Sequence, residues 1–277
     1  MKLSIITVNY NDVEGLRKTI NSILSQDYHD YEWIIIDGGS TDGSKKLIEQ
    51  NQQHLSYWCS EPARGIYNAM NKGIVQAKGE YVNFMNSGDY YASPHTLSKV
   101  FNHNYTEDML YGDWIYVYST HEVRNHFPIK QLYTEFIRKN ICHQALFIRT
   151  CFLKEKGYDE SITVLADYAR NVELAHAGAT FKQLPFPICK CTMPGFSNIP
   201  ENEELRKQDR LRIIQLYPEW LYPLMMELDD YRYRKGSQYA VKIIDGRSRI
   251  LSFLTKAYLQ IAYTLLRLFN CEKRLPH

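Results

Sequence analysis

The stretch "EWIIIDGGSTDGS", residues 32–44, decides how the first half of this chain is read. Trp33 to Ile36 is a short apolar, β-branched run bounded by acids, which reads as a buried strand ending at Asp37. Gly38 to Gly43 is a turn, and its Ser and Asp residues can cap a helix holding Leu47 and Ile48. The same grammar extends outward. Leu3 to Val8 is a strand, Asn11 or Asp12 can cap a helix, and Leu16, Ile20, Ile23 and Leu24 recur at helical spacing. "LSYWCS" (55–60) is a third strand. Ile66, Ala69, Met70, Gly73, Ile74 and Ala77 mark a helix that Gly79 closes, and "EYVNFM" (80–85) is a fourth strand. Strands alternating with helices predict an α/β fold with a mostly parallel central sheet flanked by helices. In such sheets ligands bind beyond the carboxyl ends of the strands. That makes Thr7 to Tyr10, Asp37 to Ser40, Ser60 to Arg64 and Asn86 to Asp89 the candidate positions.

The second half is less regular. Ser93-Pro94 has the cap-then-proline order of a helix start. "MLYGDWIYVY" and "EVRNHF" read as an antiparallel excursion, and "ALFIR" (145–149) as a further strand. "ADYARNVELAHAG" (166–178) is a helix with Asp167 in its first turn and Gly178 as its stop, and "TFKQL" is a last strand. From about Asn202 the chain turns helical, which sets an expected boundary between residues 1–200 and a helical extension, 201–277. Within the first part, residues 1–92 and 93–200 read as two halves. Segment 247–270 lacks acids and carries Arg247, Arg249, Lys256 and Arg267 on a strongly apolar background. Its longest uncharged run is too short to span a bilayer, so it suits a membrane interface or a packed helix.

A net charge of +2 gives no bulk electrostatic pull toward nucleic acid. The six cysteines form no CxxC pair, which argues against a zinc site and fits buried thiols in a reducing cytosol. The N-terminus reads as a first strand rather than a signal peptide.

Several residues could carry chemistry. Asp37 could accept from a base or a ribose hydroxyl, or simply hold its turn; the spacing around it is not a dinucleotide fingerprint. Arg64 precedes a helix whose first turn offers free N–H groups, an anion or nucleotide-edge site. Asn68 and Asn71 lie beside that helix's apolar stripe. Asp89 ends "VNFMNSGD" and is either a turn cap or a ligand for an oxygen-preferring cation. Asp167 could act as a general base, and His143-Gln144 could contact phosphate or acceptor hydroxyls.

Taken in order, "SIITVNYND", "WIIIDGGSTDGS", "SEPARGIYNAMNKGI", "GEYVNFMNSGD", "CHQALF" and "ADYARNVEL" resemble the GT-A-fold glycosyltransferases of family 2, over roughly residues 1–200. The resemblance is strongest to the bacterial subgroup that builds O-antigen, capsule and exopolysaccharide units. It implies a nucleotide-sugar donor, UDP-linked in the first instance, and a divalent cation, Mn²⁺ or Mg²⁺. It also implies an inverting displacement onto a glycan or polyprenyl-diphosphate-linked acceptor. By position it assigns Thr7, Val8, Tyr10, Asp37, Ser40 and Arg64 to the nucleotide, Asp89 to the metal and Asp167 to the catalytic base. Asn68, Asn86, Ser87, Gly88, His143 and Gln144 fall to the donor sugar, diphosphate or acceptor. The implied setting is cytoplasmic, peripheral on the inner membrane face through 247–270. The chain departs from many relatives at Ala63, Asn68, Asn86 and Gly88, where acids are common. A binding module without turnover is therefore a competing reading. A nucleotidyltransferase would want a Gly-rich basic loop after the first strand, which "TVNYND" does not supply. A membrane-scaffold role rests on the C-terminal segment alone.

Overall fold

A computed structural model describes residues 1–129, 136, 139–219, 222, 225 and 226. Its strands are β1 (Leu3–Asn9), β2 (Tyr31–Asp37), β3 (Tyr57–Ser60), β4 (Tyr81–Phe84), β5 (Tyr90–Tyr91), β6 (Met109–Val117), β7 (Glu122–Asn125), β8 (Leu146–Arg149) and β9 (Phe181–Thr192). Its α-helices are α1 (Val13–Leu24), α2 (Ser44–Gln50), α3 (Ile66–Gln76), α4 (Thr96–Phe101), α5 (Thr150–Glu155), α6 (Ala166–His176) and α7 (Glu203–Ile214). Among the described residues the strands form one nine-stranded sheet in the order β3-β2-β1-β4-β8-β6-β9-β5, with β7 paired to β6.

The first four strands are parallel to one another. Ile5, Ile6, Ile34, Ile35 and Ile36 are all buried, as strands covered on both faces require. Beyond β4 the sheet becomes mixed. β8 runs antiparallel to β4 and to β6, while β9 runs parallel to β6. The excursion expected over 109–127 is the β6–β7 hairpin. The last strand is longer than "TFKQL", because it continues through Pro185 and Pro187 to Thr192. Its register against β6 shifts on both sides of Asp113, which accommodates residues that cannot donate to a regular ladder.

Two local expectations change, and a third narrows from two candidates to one. Helix α4 starts at Thr96, because Ser93 and Pro94 make the preceding turn: Ser93 O accepts from Thr96 N at 3.1 Å. Asp12, not Asn11, caps α1 by accepting from Gly15 N at 3.0 Å. Helix α3 ends at Gln76, so Gly79 does not close it. Gly79 lies against β1, where a Cβ would come within 2.5 Å of Leu3 C and Ser4 N. Its N–H donates to Ser4 Oγ at 2.8 Å and to the buried Glu32 carboxylate at 3.1 Å. Gly79→Ala is therefore expected to cost about 1–3 kcal/mol by overpacking against backbone, read as a lowered urea midpoint at unchanged m-value.

The first described residues beyond the expected boundary near residue 200 pack on the sheet. Ile213 and Ile214 of α7 and Tyr217 belong to the same buried core as the sheet. Asp209, buried on α7, accepts from Val164 N at 2.6 Å, Leu165 N at 3.2 Å and Thr163 N at 3.3 Å. These donors immediately precede α6, so Asp209 fixes where that helix begins. Asp209→Ala would leave them unpaired, for an expected loss of about 1–3 kcal/mol in denaturant unfolding. Segment 247–270 lies outside the described residues. Among the described residues no helix is long and apolar enough to cross a membrane.

Candidate active site

Parallel register brings the ends of three strands side by side. Asn9 pairs with Asp37 across β1–β2, and Asp37 with Ser60 across β2–β3. The Asp37 carboxylate accepts from Asn9 Nδ2 (2.7 Å), Ser40 Oγ (2.5 Å), Ser40 N (2.9 Å) and Ser60 Oγ (2.6 Å). Burial pushes this carboxyl up, but the bonds from Ser40, Ser60 and Asn9 outweigh it and hold it below the usual range. A carboxylate offers about four acceptor positions, and here all are taken. Asp37 thus organises the turn, and a ligand would reach it only by displacing a serine hydroxyl.

Around it, the nucleotide candidates divide. Tyr10 is 67% exposed, and its ring passes over Gly38, where a Cβ would lie 3.0 Å from Tyr10 Cδ2. An exposed aromatic face at a strand end can stack on a planar base. Thr7 is fully buried and its hydroxyl accepts from Trp33 Nε1 at 3.0 Å, so its side chain is committed to the sheet. Val8 is half-buried, and its carbonyl accepts from Ser87 N at 3.0 Å. Arg64 is exposed ahead of α3, whose N-terminal groups have no side-chain cap. That helix start remains suited to an anion. Asn68 is spent on structure: its Oδ1 accepts from Arg64 N at 3.3 Å and its Nδ2 donates to Glu160 at 3.0 Å. Asn71 likewise bonds Tyr158 and Glu160.

Residues 86–89 form a tight turn in which Asp89 N donates to Asn86 O at 3.0 Å. Gly88 occupies it with φ +89°, a conformation that disfavours any side chain. This explains why no acid stands there. Both Gly88 backbone groups are used, since its N–H donates to Thr19 Oγ1 (3.1 Å) and its carbonyl accepts from Thr192 Oγ1 (2.8 Å). Ser87 Oγ turns to Asp12, at 3.1 Å from both its carbonyl and its carboxylate. Ser87 and Gly88 therefore shape the turn, leaving Asn86 and Asp89 as its candidate ligand side chains.

The second half of the chain supplies their partners. Gln144 Nε2 donates to Asp89 Oδ2, and Thr192 N donates to Asp89 Oδ1 at 3.2 Å. His143 Nε2 lies 3.1 Å from Asn86 Nδ2, and its Nδ1 lies 3.5 Å from Asp167 Oδ2. Burial pushes His143 down, but the Asp167 carboxylate outweighs it and raises the imidazole above its usual range. Asp167 stands in the first turn of α6. It accepts from Tyr67 OH and Asn140 Nδ2, both at 2.8 Å. Two consecutive residues, His143 and Gln144, thus bridge the 86–89 turn and Asp167.

An oxygen-preferring divalent cation fits the donors at this turn. Asn86 Oδ1 is buried with no hydrogen-bond partner. Asp89 is 8% exposed, and burial pushes its carboxyl up to about 7, despite Gln144 and His143. A buried acid that favours its proton in the absence of compensating charge is a group that a cation would ionise.

The sequence did not single out the supports of this arrangement. Thr19 donates to Asp89 O at 2.7 Å from inside α1. Asn83 takes Tyr91 OH at 2.9 Å and donates to Gln144 O at 3.1 Å and Leu146 O at 2.9 Å. Asn83 alone left a trace, as a polar residue inside the apolar run "EYVNFM". Tyr67 and Asn140 look ordinary in sequence, because their role depends on meeting Asp167.

The family model described as "Glycosyl transferase family 2" matches residues 4–156. An uncharacterized glycosyltransferase of Mycobacterium tuberculosis is 38% identical over 98 residues, 35% of this chain and 37% of the relative. The chain thus spans little more than a third of that relative's length. A PGL/p-HBAD biosynthesis glycosyltransferase of the same species is 30% identical over 176 residues, 61% of this chain and 68% of the relative. Among solved structures, Staphylococcus aureus TarS in complex with UDP-GlcNAc superposes with a TM-score of 0.59 at 17% identity, over 87% of this chain and 92% of that one. A Pyrobaculum calidifontis mannosyltransferase in complex with GDP-Man and Mn²⁺ gives 0.61 at 16% identity, over 98% of this chain and 83% of that one. The fold is accordingly of the GT-A type.

Proposed function

This chain belongs to glycosyl transferase family 2, and on that premise we propose that it moves a sugar from a nucleotide-diphosphate donor to an acceptor hydroxyl with inversion. The observation that carries the reading is the bridge from Asp89 through Gln144 and His143 to Asp167, which joins a cation-ready acid to a candidate base. Asp167 accepts the proton of the acceptor hydroxyl as its oxygen attacks the anomeric carbon. The bond from that carbon to the donor diphosphate breaks, and its electron pair leaves with the diphosphate. Tyr67 and Asn140 hold the base in place, and His143 Nδ1 stands 3.5 Å from its carboxylate. Asp89, with Asn86 Oδ1, would hold the divalent cation, whose charge offsets that developing on the leaving diphosphate.

The base of the donor stacks on Tyr10 beside the Asp37 turn, and its phosphates approach Arg64 and the start of α3. The UDP- and GDP-sugars bound by the structural neighbours support a nucleotide-sugar donor, with UDP favoured. The acceptor is a glycan or lipid-linked glycan in surface-polysaccharide synthesis, made at the cytoplasmic membrane face that segment 247–270 would contact. A donor screen read by nucleotide release tests the reading. One UDP-sugar is expected to turn over with Mn²⁺ and acceptor, and to stop in excess chelator. Tight donor binding with neither hydrolysis nor transfer to any acceptor would instead identify a binding module.

A further inference from the structure

Cysteine spacing argues against a zinc site, yet the fold brings three thiols together from distant parts of the chain. Cys142 precedes the His143-Gln144 bridge, while Cys189 and Cys191 project from the same side of β9. Their three sulfurs lie within 4.8 Å of one another. Cys191 Sγ is 3.6 Å from Cys142 Sγ and 3.7 Å from Cys189 Sγ. Four thiolates at the usual Zn–S length of about 2.3 Å, arranged tetrahedrally, stand about 3.8 Å apart. Two of the three sulfur pairs are already at that spacing, without a disulfide. Cys189 and Cys191 are buried, and Cys142 is half-buried.

We propose that Cys142, Cys189 and Cys191 form a second metal site, separate from the oxygen site at Asp89, that takes a thiophilic d¹⁰ cation, with Zn²⁺ as its probe. Soft sulfur donors select such ions over Mg²⁺ or Mn²⁺, which prefer oxygen. On binding, each thiol gives its proton to solvent, three Zn–S bonds form, and water fills the fourth position. No electron is transferred. The site adjoins the active centre, because Cys142 Sγ donates to Gln144 Oε1 at 2.8 Å and Gln144 donates to Asp89. The proposal stands on the thiol geometry and is independent of glycosyl transfer.

The test uses the reduced, full-length, chelator-stripped protein, with excess Mg²⁺ present to occupy oxygen sites. Zn²⁺ titrated against a chromophoric competitor is expected to bind stoichiometrically, one ion per chain. X-ray absorption of the loaded wild-type protein is expected to give three sulfur neighbours at about 2.3 Å. Co²⁺ in place of Zn²⁺ should give a thiolate-to-metal charge-transfer band. The Cys189→Ser/Cys191→Ser protein should lose both band and stoichiometric binding, whereas Cys59→Ser/Cys151→Ser/Cys271→Ser should keep them. A coordination shell with one sulfur or none, or binding that follows the second set of cysteines, would overturn the proposal. The wild-type spectrum decides the matter even if the double variant does not fold.

Discussion

Asp167→Asn is expected to lower kcat for sugar transfer by about a hundredfold to ten-thousandfold, the range a positioned general base contributes. The amide has nearly the shape of the carboxylate but cannot take the acceptor proton. Tyr67 OH keeps its second acceptor, Val164 O at 2.8 Å, so the fold should survive the change. The donor KM should stay within a fewfold, since the nucleotide candidates lie at the other strand ends. Steady-state kinetics with saturating Mn²⁺, beside a thermal melt, separates these quantities. Transfer at the wild-type rate by the folded variant would remove Asp167 from the chemistry.

Asp89→Ala is expected to abolish metal-supported turnover, and wild-type activity should carry a matching pH signature. The metal-free carboxyl sits up at about 7 because it is buried. A cation binds the ionised form, so a proton competes with it. Below about pH 7 apparent affinity for Mn²⁺ should fall, approaching tenfold per pH unit, and above it the affinity should level off. The same shift bears on the metal-free fold. A carboxyl raised on folding adds stability that is full below its unfolded value near 3.8 and is lost as pH rises through about 7. Adding Mn²⁺ should therefore raise Tm more at pH 8 than at pH 5. A pH-independent Mn²⁺ affinity between 5 and 8, or full activity of the Ala variant in chelator, would refute the assignment of Asp89.

Both effects depend on residues that local sequence left ambiguous. "NSGD" reads as a turn, and it is one: Asp89 N closes it and Gly88 supplies its positive φ. It is also where Asn86 Oδ1 and the Asp89 carboxylate stand buried beside His143 and Gln144. Asp37 moves the other way. Its place at a strand end suits either a ligand group or a turn cap, and in the fold four donors tie its carboxylate into the turn.

The sequence by itself determined the strand–helix alternation of the first half, the strand ends and turns that carry Asn9, Asp37, Ser60 and Asp89, and the helix start that carries Asp167. These follow from period, apolar runs and turn chemistry, all local properties of the chain. Only the tertiary structure decided which of these residues meet. The antiparallel insertion of β8 beside β4 brings His143 and Gln144 to the 86–89 turn, and Asp209 on α7 fixes the start of α6. It likewise gathers Cys142, Cys189 and Cys191, whose spacing along the chain hides them from any motif. Such meetings depend on strand order and register over long sequence separations, which no local pattern encodes.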